Sequence, residues 1–368
     1  MRASLTRDTL LLPLQRIIGV VERRQTMPVL AHVLVEVDNE GHVTLTGTDM
    51  EVEMIGSATA ESSDPGSCTL PARKLYDLLR ALPADVHIDL KLEGERALLR
   101  AGRSRYTLVT LPTADFPTLD NIEVIGRLRI GEAALKALIE RTQFAMASQD
   151  VRYYLNGMLF DMHGEVLRCV TTDGHRLAMA QTALPGNGNQ ARRQLIVPRK
   201  GVLELAGLLE AGEGEVELEF ARNHLRVHRE GVRFTSKLID GKFPDYETVI
   251  PIGADHHVIV DRNMLRETLQ RAAILSNEKY RGVKLELARG RMRIVAHNPE
   301  QEEAVEEIEV ETAVDDLSVG FNVGYLLDAL GSLRGERVTL RLRDAQSSCL
   351  VEGVPDEHAR HVIMPLRL

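Results

Sequence analysis

The chain has 368 residues, enough for three domains of ordinary size that each bury a core. Its three cysteines, Cys68, Cys169 and Cys349, are widely spaced and no leader peptide or long apolar run is visible, so a disulfide framework is not expected and the setting reads as cytoplasmic. With 45 basic against 54 acidic residues the formal charge is −9, which argues against a uniformly basic nucleic-acid binder and leaves charge distribution to decide.

In chain order, a first helical segment is expected over residues 10–21, with Pro13 kinking or shortening it. An alternating run closes at Gly47-Thr48-Asp49. Leu70-Pro71-Ala72-Arg73-Lys74 then opens a helix whose Leu75, Leu78, Leu79 and Leu82 follow the i, i+3, i+4, i+7 spacing of one buried stripe. Ile88, Leu90 and Leu92 alternate as a half-buried strand does.

The same order returns after roughly 124 residues. A helix over 133–146 precedes Thr172-Asp173-Gly174, and Val197-Pro198-Arg199-Lys200 opens a helix with Val202, Leu205, Ala206 and Leu209 on one face. Val216, Leu218 and Phe220 alternate after it. The third round has a helix over 264–275, the marker Ala296-His297-Asn298, and Phe321-Asn322-Val323 opening a helix with Val323, Leu326, Leu327 and Leu330. Val338, Leu340 and Leu342 close it.

Each round therefore reads helix, strands, helix, strands. Its helices are too far apart for a bundle and too few to cover both faces of a parallel sheet, so the fold class is α+β, with helices on one face of antiparallel sheets. Domains are expected at 1–127, 128–254 and 255–368. The first two end just after similar connectors, Ala114-Asp115-Phe116-Pro117 and Gly241-Lys242-Phe243-Pro244-Asp245-Tyr246. Pro185-Gly186-Asn187-Gly188-Asn189 reads as a surface loop.

Basic residues recur on the helices: Arg23 and Arg24 after the first, Arg73, Lys74 and Arg80 on the second, Arg199 and Lys200 on its counterpart, and Arg262, Arg266 and Arg271 in the third round. Helix surfaces commonly carry such residues, but recurrence at equivalent places points to a phosphate-facing surface. A second asymmetry sets Arg96, Arg100, Arg103 and Arg105 in the first round against Glu300, Glu302, Glu303, Glu306, Glu307, Glu309 and Glu311 in the third. Head-to-tail association through sheet edges would need such a pair; charge alone fits two unrelated solvated faces equally well.

The chain resembles the bacterial replicative sliding clamp family, the beta subunit of DNA polymerase III, over its whole length. The residues that carry the resemblance are Thr46-Gly47-Thr48-Asp49, Pro71-Ala72-Arg73-Lys74, the run from Gln149 to Gly157, Thr172-Asp173-Gly174-His175-Arg176-Leu177, Ile274-Leu275-Ser276-Asn277-Glu278-Lys279, Asn298-Pro299-Glu300-Gln301-Glu302-Glu303 and Met364-Pro365-Leu366-Arg367-Leu368. The resemblance implies three clamp domains per chain. It also implies a head-to-tail homodimer closed into a ring around duplex DNA, and a processivity factor that tethers polymerases.

By resemblance, Arg24, Arg73, Arg80, Gln149, Tyr153, Tyr154, Arg199 and Lys200 face DNA without reading its sequence. The dimer interface would take Lys74, Arg96, Arg103, Arg105, Tyr106 and Leu108 on one side and Ile274, Leu275, Glu300, Glu302, Glu303 and Glu306 on the other. A pocket for short peptides of DNA polymerases, the clamp loader and repair proteins would use Leu155, Thr172, Gly174, His175, Arg176, Leu177, Pro244, Val249, Asn322, Tyr325, Ser348, Val362, Met364, Pro365, Leu366 and Arg367. Thr248 and Gln346 depart from arginine and valine in some members, which implies an altered preference in one subsite.

No cofactor, metal site, catalytic residue or membrane association is expected. The sequence has no HExxH, CxxC or GxxxxGK[ST] pattern. A DNA-processing enzyme using Asp173-Gly174-His175 or Asp255-His256-His257, and a scaffold that never encircles DNA, are the alternatives.

Overall fold

The structure, a computed structural model, describes residues 1–21, 27–119, 122–185 and 192–367. Arg23, Arg24, most of the 185–189 loop and Leu368 lie outside the described residues. Six α-helices are described: α1 (Arg7–Ile17), α2 (Ala72–Ala81), α3 (Glu132–Glu140), α4 (Arg199–Leu208), α5 (Arg262–Ala273) and α6 (Val323–Ser332). All strand pairings among the described residues are antiparallel, as the α+β reading required.

The chain divides into two compact units, residues 1–133 with 203–238, and 134–202 with 239–368. The first contains a five-stranded sheet, in the order 62–64, 2–6, 87–93, 96–101, 104–109. Its eight-stranded sheet runs 124–131, 215–221, 224–229, 232–237, 52–59, 42–48, 32–37, 66–71. The second unit contains a nine-stranded sheet in the order 193–198, 157–163, 166–172, 176–183, 359–363, 349–354, 337–342, 256–261, 311–312. Its four-stranded sheet runs 303–309, 291–297, 282–288, 317–322. Both large sheets join strands from successive sequence repeats.

The repeat markers owe their recurrence to turn chemistry. Thr48 Oγ1 donates to the Val52 carbonyl and accepts from the Met50 amide, while Asp49 Oδ1 accepts from the Glu51 and Val52 amides. Thr172 and Asp173 make the same four bonds with Arg176, Gly174, His175 and Arg176. Asn298 Oδ1 acts similarly on the Glu302 amide. Short polar side chains favour such turns because they satisfy backbone donors locally.

Most of each helix stripe is buried, Leu75 and Leu79 in α2, Val202 and Leu205 in α4, and Val323, Leu326 and Leu330 in α6, while Leu78, Ala206 and Leu327 are half-buried. Each such side chain contributes roughly 1.5–3 kcal/mol when fully buried. Three helix bounds shift from expectation. α1 starts early because Thr6 caps it through the Thr9 amide, and it runs past the buried Pro13 to end at Ile17. Gly56 leaves room for that proline, since a Cβ there would lie 2.7 Å from the Pro13 Cβ. α3 stops at Glu140, and Thr142 turns back onto the Leu138 carbonyl before the short turn Gln143–Ala145. α5 begins at Arg262 because Asp261 accepts from the Met264 amide.

In the second unit the connector expected before residue 254 plugs into the core through Phe243 and Tyr246. The Tyr246 hydroxyl donates to buried Asp161 at 2.7 Å, and Arg192 reaches the same carboxylate with Nε and Nη2. Burial alone would raise this carboxyl, but Arg192 and Tyr246 outweigh it and hold it below the usual range.

His361 is 1% exposed, bonded to the Ser332 hydroxyl at 2.7 Å and met edge-on by Phe144. Burial, with Arg141 adding to it, pushes its pKa down to about 3. The folded state therefore resists a proton that the unfolded chain accepts near 6.5, so this stability is present above that value and lost as pH falls. Denaturation at pH 4.5 should show a loss of about 2–3 kcal/mol relative to pH 7 from this group, and His361→Gln should flatten that slope. An unchanged slope in the variant would exclude His361 as its source.

Candidate functional site

Strand Arg176–Ala183 lies between Val166–Thr172 and Ala359–Ile363, with Arg176 opposite Ile363 and Leu177 opposite Val362. That register carries the 173–175 turn alongside the C-terminal segment, and the Met364 amide donates to the His175 carbonyl at 3.0 Å. Leu177 and Val362 belong to a buried cluster with Val170, Phe243, Tyr246 and Leu350, and Tyr154, Val249 and Ile250 pack against it. His175 is exposed, and Met364 is half-buried. Apolar floor, exposed turn and backbone groups at the rim thus lie together at one place on the surface.

Arg176 holds this arrangement. Its Nε donates to Asp173 Oδ2 at 3.0 Å, Nη1 to Asp328 and Nη2 to the Phe144 carbonyl at 2.7 Å. The guanidinium also lies 4.5 Å from the Tyr325 ring centre and 5.3 Å from that of Phe144. A planar cation with several donors suits such a junction; lysine could not make it. Burial raises the Tyr325 pKa, Asp173 adds to the effect, and Arg176 opposes it. Asp173 is thus occupied by its turn and by Arg176.

The other expected pocket residues are placed unevenly. Thr172 closes the turn, and Ser348 is half-buried just before Cys349, which pairs with Ile363. Leu155 is 2% exposed at the end of the short turn Tyr153–Leu155. Pro244 is exposed between the two buried aromatics of the connector. Asn322 is an N-cap: its Oδ1 accepts from the Gly324 and Tyr325 amides and its Nδ2 donates to the Tyr280 carbonyl. Pro365, Leu366 and Arg367 line a cavity of about 310 Å³ with Lys284, Ser318, Gly320, Ala345 and Gln346. The departure at Gln346 therefore lines this mixed hollow, whereas Thr248 donates to the Asp245 carbonyl.

Of the residues expected at DNA, Arg73 and Arg80 lie on α2 in the first unit. Arg73 donates one bond to the Val21 carbonyl, and Arg80 is exposed over the Tyr76 ring. In the second unit Gln149 and Tyr153 are exposed, Tyr154 is half-buried against the Leu177 and Val362 cluster, and Arg199 donates to the Met146 carbonyl. Lys200 is half-buried. The basic stripe expected on the third-round helix is partly spent in the fold. Arg262 bonds the Gly335 and Leu330 carbonyls, and Arg271 forks onto Glu306 at 2.9 Å.

Among residues expected at a dimer interface, Arg96, Arg103, Arg105 and Lys74 are exposed, Tyr106 is half-buried and Leu108 buried. They border strand Ser104–Val109, an edge of the five-stranded sheet, except Lys74 on α2. In the second unit, strand Glu303–Glu309 is an edge of the four-stranded sheet. Glu300, Glu302 and Glu303 are exposed there, Leu275 is half-buried and Ile274 is 77% exposed. Glu306 is already engaged by Arg271 within the chain.

Models of the N-terminal, central and C-terminal domains of the DNA polymerase III beta subunit match residues 1–120, 129–245 and 247–367. The chain belongs to the DNA polymerase III beta subunit family. It is 51% identical to the beta sliding clamp of Pseudomonas aeruginosa and 46% identical to that of Escherichia coli K12, in each case over the full length of both proteins. The crystal structure of the P. aeruginosa subunit superposes with a TM-score of 0.97 at 51% identity, and pol III beta of Caulobacter crescentus with 0.94 at 35%, each covering all of both chains. A P. aeruginosa sliding clamp determined bound to griselimycin matches with a TM-score of 0.96.

Within this beta-family fold, the sequence patterns did not single out Arg152, Phe144, Asp328 or Tyr280. Arg152 stands inside a recognised run but no spacing rule marks its partners. Tyr280 follows another such run, is 56% exposed and packs near the Lys279 ammonium. The bracket at Arg176 can be tested alone. Arg176→Lys should cost about 1–3 kcal/mol of stability and raise hydrogen exchange in the 173–175 turn; unchanged exchange would mean the turn is held without it.

Proposed function

We infer that two copies of this chain associate head to tail into a closed ring around duplex DNA. The ring is a processivity factor of DNA replication that tethers DNA polymerases, the clamp loader and repair proteins by short peptides. The observation that carries this reading is the full-length match, at 51% identity, to a beta sliding clamp, with the three beta-subunit domain models in order. To this reading belong three domains at 1–127, 128–254 and 255–368, near but not at the bounds of the matched models, a cytoplasmic location and a non-catalytic role.

The pocket reading is supported by the seat built from Thr172, Gly174, His175, Arg176, Leu177, Val249, Val362 and Met364, with Tyr325 behind Arg176. Leu155 and Asn322 act beneath or beside it as fold residues, and Tyr280 adds an exposed aromatic next to Asn322. Two apolar anchors at roughly 1.5–3 kcal/mol each, with backbone hydrogen bonds, correspond to micromolar affinity after ordering costs. Deleting residues 364–368 should abolish binding of a peptide carrying Gln, Leu and an aromatic; undiminished binding would remove the tail from the site.

The dimer reading is supported by two edge strands of opposite charge, with Ile274 exposed beside the acidic one. Rim ion pairs contribute only about 0–1 kcal/mol each, so the apolar contacts should dominate. Ile274→Ala with Leu275→Ala should sediment as monomers at low concentration, and an unchanged dimer would displace the interface. For DNA, contacts from Arg24, Arg73, Arg80, Gln149, Tyr153, Tyr154, Arg199 and Lys200 need no base readout, since retention is topological. Protein loaded onto a nicked circle should stay bound and should be lost once the circle is cut. Equal retention on both would mean contact binding, and the scaffold reading would return.

A further inference from the structure

We propose that Arg152 couples the loop 149–154 to the peptide seat, so that duplex DNA and a partner peptide change each other's affinity. The proposal rests on the proposed function, in which Gln149, Tyr153 and Tyr154 meet DNA and Gly174, His175 and Met364 meet the peptide.

Arg152 spans the two. Its amide and Nε donate to Asp150 Oδ1 at 2.8 and 3.0 Å, and Nη2 donates to Asp150 Oδ2 at 2.9 Å. The same Nη2 reaches the Asp173 carbonyl at 3.3 Å. Asp150 is itself riveted, its amide bonding Asn156 Oδ1 and its carbonyl accepting from Asn156 Nδ2, both at 2.9 Å. Hydrogen bonding by Arg152 holds the Asp150 carboxyl down at about 2, so the pair stays charged at neutral pH. From the other end, the His175 carbonyl accepts from the Met364 amide. A continuous path of contacts thus runs from the exposed loop to the C-terminal segment.

Gly174 shows what the guanidinium does there. Its φ is +89°, and a Cβ would lie 2.9 Å from Arg152 Nη2 and 3.0 Å from Nη1. The backbone angle alone does not demand glycine. At the equivalent place in the first repeat, Met50 adopts φ +76° in a turn with the same Thr and Asp hydrogen bonds. The distinguishing feature at 174 is that Arg152 occupies the space of a side chain. The loop is also open to a ligand: Val151 is 95% and Tyr153 56% exposed, and Gln149 holds φ +59°, an uncommon angle for a residue with a Cβ.

A phosphate at the loop competes with Asp150 for the guanidinium, because each presents two oxygens that share one negative charge to its planar fork of donors. Withdrawal of Arg152 from Asp150 also withdraws it from the Asp173 carbonyl and from the space above Gly174. The turn that holds Met364 then loses the Arg152 contact at the Asp173 carbonyl and keeps the bonds of Thr172, Asp173 and Arg176. Because coupling is an equilibrium property, whatever factor DNA imposes on peptide affinity the peptide must impose on DNA affinity.

The test uses the dimeric protein, a fluorescent peptide carrying Gln, Leu and an aromatic, and a short duplex oligonucleotide at low salt. Titrating each ligand with and without the other should give the same coupling factor both ways, at least about threefold. Arg152→Ala should reduce that factor to near unity while both ligands still bind. Asp150→Asn gives an independent variant if Arg152→Ala does not fold. Two bound ligands with no coupling in the unaltered protein, or an unchanged factor in Arg152→Ala, would overturn the proposal. If duplex or peptide fails to bind the unaltered protein, the reading of the surfaces fails first and the coupling falls with it.

Discussion

The structure depends on antiparallel pairing between strands that come from different sequence repeats. Strand Arg176–Ala183 pairs on one side with Val166–Thr172 of its own repeat and on the other with Ala359–Ile363 of the next. In the first unit, Val232–Lys237 pairs in the same way with Val52–Thr59. An unpaired edge in either place would leave a row of backbone donors and acceptors exposed. A slip of one residue would turn every core side chain outward. Leu177 opposite Val362 is therefore both a core contact and the reason the turn at 173–175 meets the C-terminal segment.

Local chemistry at that turn is reused with a different outcome in the two repeats. Thr48-Asp49 and Thr172-Asp173 make the same bonds to their own backbones, which explains why the pattern recurs. In the second repeat the aspartate's remaining oxygen receives Arg176, and Arg176 in turn reaches Phe144, Asp328 and Tyr325. One side chain converts a hairpin turn into a junction of several elements. The cost of confining a guanidinium there is offset by charged and carbonyl acceptors and by two aromatic faces.

The chain is acidic overall, yet many of its arginines are internal fasteners rather than a free basic surface. Arg271 neutralises Glu306, Arg262 caps the end of α6, and Arg192 serves buried Asp161. Hydrogen bonds to such cations are stronger than neutral ones when part of the pair is shielded from water. What is left exposed, such as Arg80, Arg96, Arg103 and Arg105, is what an approaching partner can meet. Net charge carries no information about that division.

Period and pattern were legible in the sequence because they are properties of neighbours along the chain. The repeat, the buried stripes of α2, α4 and α6, the alternating strands and the Asp turns follow from spacing and from short-range hydrogen bonding. Motif resemblance supplied the candidate site residues, and spacing alone would not have done so. Helix bounds moved where a cap the pattern did not weigh, such as Thr6 or Asp261, intervened. Tertiary structure decided which residues act together. Asn322 became a helix cap, Glu306 found Arg271, and Arg152 came to stand over Gly174. The last two pairings join residues tens of positions apart in the chain, and no local rule encodes which long side chain fills which space.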